Sequence, residues 1–178
     1  MSTQAISLLR KPTGIERPWG EEEIIVSKTD LKGKITYAND VFQRVAQMSE
    51  RELLGKPHNI IRHPAMPRCV FKLLWDTLKA RREIFAFVLN MAKNGDHYWV
   101  FAHVTPSTNA DGAVVGYHSN RRKPRAEQIA KITPIYEALR QEEGRYASPK
   151  DGMDAATRLL LAELQKTGME YDEFVFSV

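Results

Sequence analysis

Apolar positions change their period in an ordered way along the chain. Residues 22–27, Glu-Glu-Ile-Ile-Val-Ser, are short and β-branched and read as a strand. A turn-rich link, Lys28 to Gly33, leads into a second strand at Lys34–Tyr37, so the pair reads as a hairpin, with Gly33 supplying the freedom of φ that its turn needs. Asn39 or Asp40 is placed to cap a helix whose apolar residues Val41, Phe42, Val45 and Ala46 fall at helical spacing. Ser49 followed by Glu52 has the form of a capping box and opens another short turn, stopped by Gly55 and Pro57. Three prolines within residues 56–67 forbid a long helix there. After Pro67, Val70, Phe71, Leu74, Trp75 and Leu78 are spaced by three and four, which predicts an amphipathic helix. Three strands are then expected at Glu83–Ala92, His97–Pro106 and Ala113–Arg121, joined at the turn dipeptides Asn94-Gly95 and Asp111-Gly112.

A charged helix over Arg125–Gln141 presents Ile129, Ile132, Ile135, Tyr136 and Leu139, and Pro134 is expected to kink or restart it. Gly144–Gly152 reads as a linker and Asp154–Lys166 as a final amphipathic helix. The N-terminal residues hold Pro12, Gly14, Pro18 and Gly20 and form a lead-in with a short helix near Ile6–Arg10. The expected division is a lead-in at 1–21, a domain at 22–122, a flanking helix at 123–144, and a linker with its terminal helix at 145–178. Helices grouped between two strands and three argue an α+β domain, a five-stranded antiparallel sheet with short helices on one face. The other face stays half exposed unless the flanking helices cover it.

Composition narrows the function. With 178 residues, 43% hydrophobic and 27% charged, the chain is long enough to bury a core without staples. No apolar run approaches the roughly 20 residues of a membrane helix, and the N-terminus lacks a secretory pattern, so a cytoplasmic protein is expected. The single cysteine, Cys69, excludes an internal disulfide or a cysteine-rich zinc site and reads as a small core side chain. Net charge is +4, but the three basic and six acidic residues of 146–178 leave +7 on residues 1–145. The densest basic run, Arg121, Arg122, Lys123 and Arg125, is broken by Pro124, without the aromatic interleaving of a nucleic-acid surface. It reads as a solvated or partner-facing patch. His97 and His103 share a strand face but lack the ligand spacing of a metal site. No nucleophile, base and orienting group fall together and no phosphate-cradling glycine loop is present, so no enzyme is expected.

Two stretches carry a family resemblance. Residues 30–63, DLKGKITYANDVFQRVAQMSERELLGKPHNIIRH, resemble PAS sensor domains. Residues 62–67, Arg-His-Pro-Ala-Met-Pro, and 93–100, Lys-Asn-Gly-Asp-His-Tyr-Trp-Val, resemble the PAS domains of bacterial aerotaxis receptors, with similarity from about Glu23 to Gly144. A segment similar to that family's Ile-x-Pro-(Ile/Leu)-Tyr-x-Ala-Leu lies at Ile132–Leu139. The resemblance implies a PAS fold, bound FAD, and a redox or oxygen signal passed to a chemoreceptor-type partner, here from a separate chain. It carries the flavin-binding role onto Asn39, Arg62, His63 and Asn90. The family often has an acid where Ala65 stands, and often a Trp at the start of the third strand. Here that strand opens Ile84-Phe85-Ala86, so Phe85 or Phe87 is the available stacking ring.

A flavin requires a dry slot with an aromatic lid and a few amide or basic groups, expected here between the Asn59–Pro67 loop and strand Glu83–Ala92. Two alternatives stay open: haem with His63 as axial ligand, and a cofactor-free interaction module. For output, Asn90 is the amide expected to re-orient when a bound ring changes charge. The exposed sheet face, the lead-in and the helix Arg125–Gln141 are the expected docking surface, with a homodimer through the flanking helices as a further possibility. The competing reading makes that helix a mere cap on the sheet.

Overall fold

The computed structural model describes residues 11–178; the short helix expected near Ile6–Arg10 lies outside the described residues. Strands β1 (Ile25–Thr29) and β2 (Ile35–Ala38) lead into helices α1 (Asp40–Ala46) and α2 (Glu50–Leu53), then a 3-10 turn at His58–Ile61 and helix α3 (Arg68–Lys79). Strands β3 (Ile84–Met91), β4 (His97–Thr108) and β5 (Val114–Arg122) follow, and the chain closes with α4 (Ala126–Gly144), α5 (Pro149–Thr167) and α6 (Tyr171–Ser177). The five strands form one antiparallel sheet in the order β2-β1-β5-β4-β3. The fold is therefore the expected α+β arrangement, with the last strand paired to the first at the sheet centre. No helix among the described residues is long and apolar enough to cross a membrane.

Local chemistry explains the elements that frame the inner sheet face. Asn39 caps α1: its Oδ1 accepts from Phe42 N at 3.0 Å and from Val26 N at 3.0 Å, while its Nδ2 donates to Ile24 O at 2.8 Å. One amide thus ends the hairpin and starts the helix. The Ser49–Glu52 capping box opens α2 as expected. Phe42, Val45, Leu53 and Ile61 pack in the core with Ile25, Ala86 and Val100.

Both faces of β3 are covered, which is why its sequence is continuously apolar instead of alternating. The inner face meets the short helices and α3. The outer face around Phe85, Phe87 and Phe101 meets α6 through Phe176, and α4 places Tyr136 against Trp99. The lead-in adds a parallel bridge from Glu16 to His97 and buries Trp19.

The C-terminal third differs from the sequence expectation. Helix α4 does not restart at Pro134 but continues through it, with Ile132, Tyr136 and Leu139 all buried against neighbouring elements, which outweighs the one backbone bond that proline removes. The apolar side of Ile132–Leu139 is therefore spent within the chain. The expected linker shrinks to residues 145–148: Ser148 accepts from Asp151 N, and Pro149 occupies the first turn of α5, where its missing N–H costs nothing. Helix α6, only seven residues long, is too short to show a period.

Candidate cofactor cleft

A cavity of about 370 Å³ opens between the inner sheet face, α3, and the loop around the 3-10 turn, a volume at the lower end of small-molecule sites. The expected slot was narrower, because strands β1 and β5 also contribute to its wall. Helix α3 presents Phe71, Leu74, Trp75 and Leu78 to it, the same apolar stripe that predicts the helix. The first three remain half-buried because they face the cavity. Val88, Ala102, Val104 and Tyr117 form the sheet wall, and the Trp75 ring meets Tyr117 edge-on at 5.5 Å. Gly33 has φ +74°, and a Cβ there would sit 3.1 Å from the Trp75 ring, so turn geometry and ring placement both demand glycine.

The polar groups separate into a rim and an inner end. Lys32 and Asn59 are exposed at the rim, with Arg62 half-buried beside them, its guanidinium 4.1 Å from the Phe71 ring centroid. Ser27, Asn90 and Arg121 are buried at the inner end. Arg121 lies 4.5 Å over the Phe42 ring and its Nη2 donates to Ser27 Oγ at 2.5 Å, but Nε and Nη1 have no hydrogen-bond partner. Among the described residues no carboxylate lines the cavity. A guanidinium 2% exposed and without an acid partner is costly to bury. Burial draws its pKa down to about 10.

His58 completes the inner end. Its Nε2 lies 3.0 Å from Ser27 Oγ and its ring stacks on Phe42. Burial, and then the charge of Arg121, push its pKa down to about 3, so it is neutral at pH 7. Ser27 therefore accepts from Arg121 and donates its one proton to His58, leaving the remaining guanidinium N–H groups for a ligand. A flat ring system with acceptor atoms along one edge suits this set, and the residues present fit a flavin.

Of the residues singled out in the sequence, the structure brings Arg62 and Asn90 together: both line the cavity and their backbones form an antiparallel bridge. Asn39 is occupied in capping α1 and does not line the cavity. His63 does not line it either; its Nδ1 accepts from Ala65 N at 3.0 Å, its ring meets His97 edge-on, and burial pushes its pKa down to about 4. The position proposed for a haem ligand is thus outside this cavity. Phe85 lies on the opposite sheet face, stacked on His103 at 4.2 Å, because alternation along β3 sends Ala86, Val88 and Asn90 inward and Phe85 outward.

Sequence reading missed Ser27, His58 and Arg121. Arg121 was hidden in a basic run that the structure splits: Arg121 is buried, Arg122 exposed, and Lys123 Nζ donates to Trp19 O. The period-two pattern of β5, which sends Tyr117, Ser119 and Arg121 inward, was the signal that could have found it. Cys69 is a core side chain, its thiol pushed up to about 12 by burial and then by the carboxylate of Glu143. No three His, Cys, Asp or Glu side chains cluster as metal ligands among the described residues.

Comparison with known proteins agrees with this architecture. Residues 35–121 match the PAS fold family. The aerotaxis receptor of Escherichia coli (strain K12) is 43% identical over 122 residues, 68% of this chain and 24% of the receptor. The nitrogen fixation regulatory protein of Klebsiella pneumoniae is 29% identical over 102 residues, 57% of this chain and 21% of that protein. The chain thus spans about a quarter or less of the length of these relatives. Among solved structures, the dark structure of the blue-light photoreceptor Aureochrome1 LOV superposes with a TM-score of 0.55 at 21% identity, covering 65% of this chain and 86% of that one. Its likeness is one of fold. With the sheet order, the inner cleft and these matches in agreement, the chain carries a PAS sensor domain of the aerotaxis-receptor family.

Proposed function

We propose that this domain is a cytoplasmic, non-enzymatic redox sensor that holds FAD in the inner cleft and reports its state to a chemoreceptor-type signalling partner. The observation that carries the reading is the buried Arg121 guanidinium, aimed into an aromatic-walled cavity with two donor groups unused and no carboxylate to neutralise it. Its natural complement is a ligand edge rich in acceptors. Asn90 offers an amide to the same edge, Phe71 and Trp75 wall the ring system, and Lys32 and Arg62 place positive charge at the rim, where phosphate would lie. Bound flavin supplies reversible electron transfer. The chain's residues exclude water from the ring and answer a change in its charge through Arg121 and Asn90. The relatives add support: an aerotaxis receptor, and flavin-based light-oxygen-voltage domains with the same fold at a TM-score of 0.55.

Absorbance of the purified chain tests the reading directly. Flavin bands in the blue are expected, or appear on reconstitution with FAD, and they diminish in Arg121→Gln and Arg62→Ala while the circular dichroism stays unchanged. His63→Ala, lying outside the cleft, should retain cofactor. A chain that binds no flavin after reconstitution, or an intense violet-edge haem band, overturns the assignment.

A further inference from the structure

A small apolar cluster stands apart from the main core at one end of the cleft. It is built on Leu78, Ile84 and Tyr117, with Leu74, Trp75 and Val104 packed against it. From this cluster Trp75 reaches across to the β1–β2 turn. The outer edge of its indole, Cη2 and Cζ2, lies against Gly33, where a Cβ would stand 3.1 Å from both atoms. Helix α3 and the turn thus touch there through a ring and a bare backbone. The two sides of this contact are held differently. Gly33 N donates to Asp30 O at 3.0 Å, and Gly33 O accepts from His58 N at 2.9 Å. Asp30 Oδ1 accepts from Lys32 N at 2.8 Å and from Lys34 N at 2.9 Å, so the turn is a fixed abutment. Trp75 is half-buried and is held by ring contacts, edge-on to Tyr117 at 5.5 Å. Among the described residues no hydrogen bond holds its indole N–H. An outward rotamer therefore exchanges packing for water and breaks no hydrogen bond.

We propose that Trp75 is a latch on the cleft mouth, and that its swing away from Gly33 sets how fast a ligand enters and leaves. The identity of the ligand rests on the flavin reading; the moving part does not. Elsewhere the rim is narrowed by Arg62, whose guanidinium covers the Phe71 ring at 4.1 Å. A flat ring system therefore passes the indole, which re-seats on Gly33 behind it. A wall residue and a latch differ in kinetics. Losing a wall contact speeds dissociation and leaves association nearly unchanged, the usual result of truncating a binding side chain. Losing a latch lowers the barrier in both directions. The association rate is thus the quantity that separates the two roles.

The test is stopped-flow binding of FAD to the full ligand-free chain, followed by flavin fluorescence. Trp75→Ala should speed association by about tenfold or more, and dissociation by at least as much. Trp75→Phe keeps an aromatic wall but falls short of Gly33, so its association should also exceed that of the wild type; it decides the matter if the alanine variant fails to fold. Faster dissociation with unchanged or slower association makes Trp75 a wall and overturns the latch. A second measurement needs no flavin. In the chain grown with fluorotryptophan, fluorine NMR resolves the three tryptophans, Trp19, Trp75 and Trp99, and the Trp75 signal is identified by its loss in Trp75→Phe. Trp75 should show exchange on the microsecond-to-millisecond scale of lid opening, and the buried Trp19 and Trp99 should not. If the wild type takes up no FAD, the flavin reading falls and this measurement alone decides the latch. A Trp75 signal with no more exchange than those of Trp19 and Trp99 overturns it.

Discussion

At the scale of single residues, Arg121 is a buried cation that costs the ligand-free fold stability. Its charge is buried beside a neutral histidine and a serine hydroxyl, with no acid to offset the lost hydration. Replacing an unmatched buried cation with a neutral side chain of similar reach removes that cost. Arg121→Gln should therefore raise the urea midpoint of the ligand-free chain, by about 1–3 kcal/mol in unfolding free energy. The same substitution should weaken flavin binding. A structural arginine would show the opposite pattern, with stability and binding lost together, so chemical denaturation of the two proteins without cofactor separates the cases. A lower midpoint for the variant would mean that the guanidinium is satisfied within the protein and is not waiting for a ligand.

At the scale of elements, the sheet tolerates its apolar edge strand because helices from the C-terminal third lie over it. Phe176 is the outermost part of that cover: its ring sits 4.7 Å from Phe85 and 5.9 Å from Phe101, yet it is 60% exposed. An aromatic contact of this kind contributes about 1 kcal/mol, so Phe176→Ala should lower stability by that amount and increase binding of a hydrophobic dye. A change in neither measurement would show that α6 does not protect the outer face. Much of this architecture was legible in the sequence. The three-four spacing from Val70 to Leu78 and the two turn dipeptides are local features, and local features survive folding unchanged. Helix α6 was not legible because seven residues hold too little periodicity. The unbroken α4 was not legible because the force that carries it past Pro134 comes from distant residues. The site divided along the same line: Arg62 and Asn90 sit in motifs readable along the chain, whereas Ser27, His58 and Arg121 meet only when β1, the 3-10 turn and β5 come together. Asn39 shows the converse, a motif residue whose visible role in the fold is to cap a helix.

The whole molecule joins a preformed cleft to a peripheral set of helices, and its response to cofactor should be visible in global stability. A ligand that binds only the folded state stabilises it by about 2.7 kcal/mol when its free concentration is a hundredfold above its dissociation constant. For a chain of this length that corresponds to a rise in Tm of roughly 5–10 °C. FAD should produce a shift of this size in the wild type. Riboflavin, which lacks the phosphates, should produce a smaller one at equal concentration, because the cations Lys32 and Arg62 line the cavity at its rim, where on this reading the phosphates of FAD would lie. Arg62→Ala should reduce the FAD shift toward the riboflavin value. Arg121→Gln should suppress both shifts, since it acts on the ring system that the two ligands share. The pattern across two ligands and two variants localises each part of the flavin without a bound structure. Equal shifts for FAD and riboflavin in the wild type would remove the rim from the phosphate site, and an undiminished riboflavin shift in Arg121→Gln would remove the ring edge from the inner end.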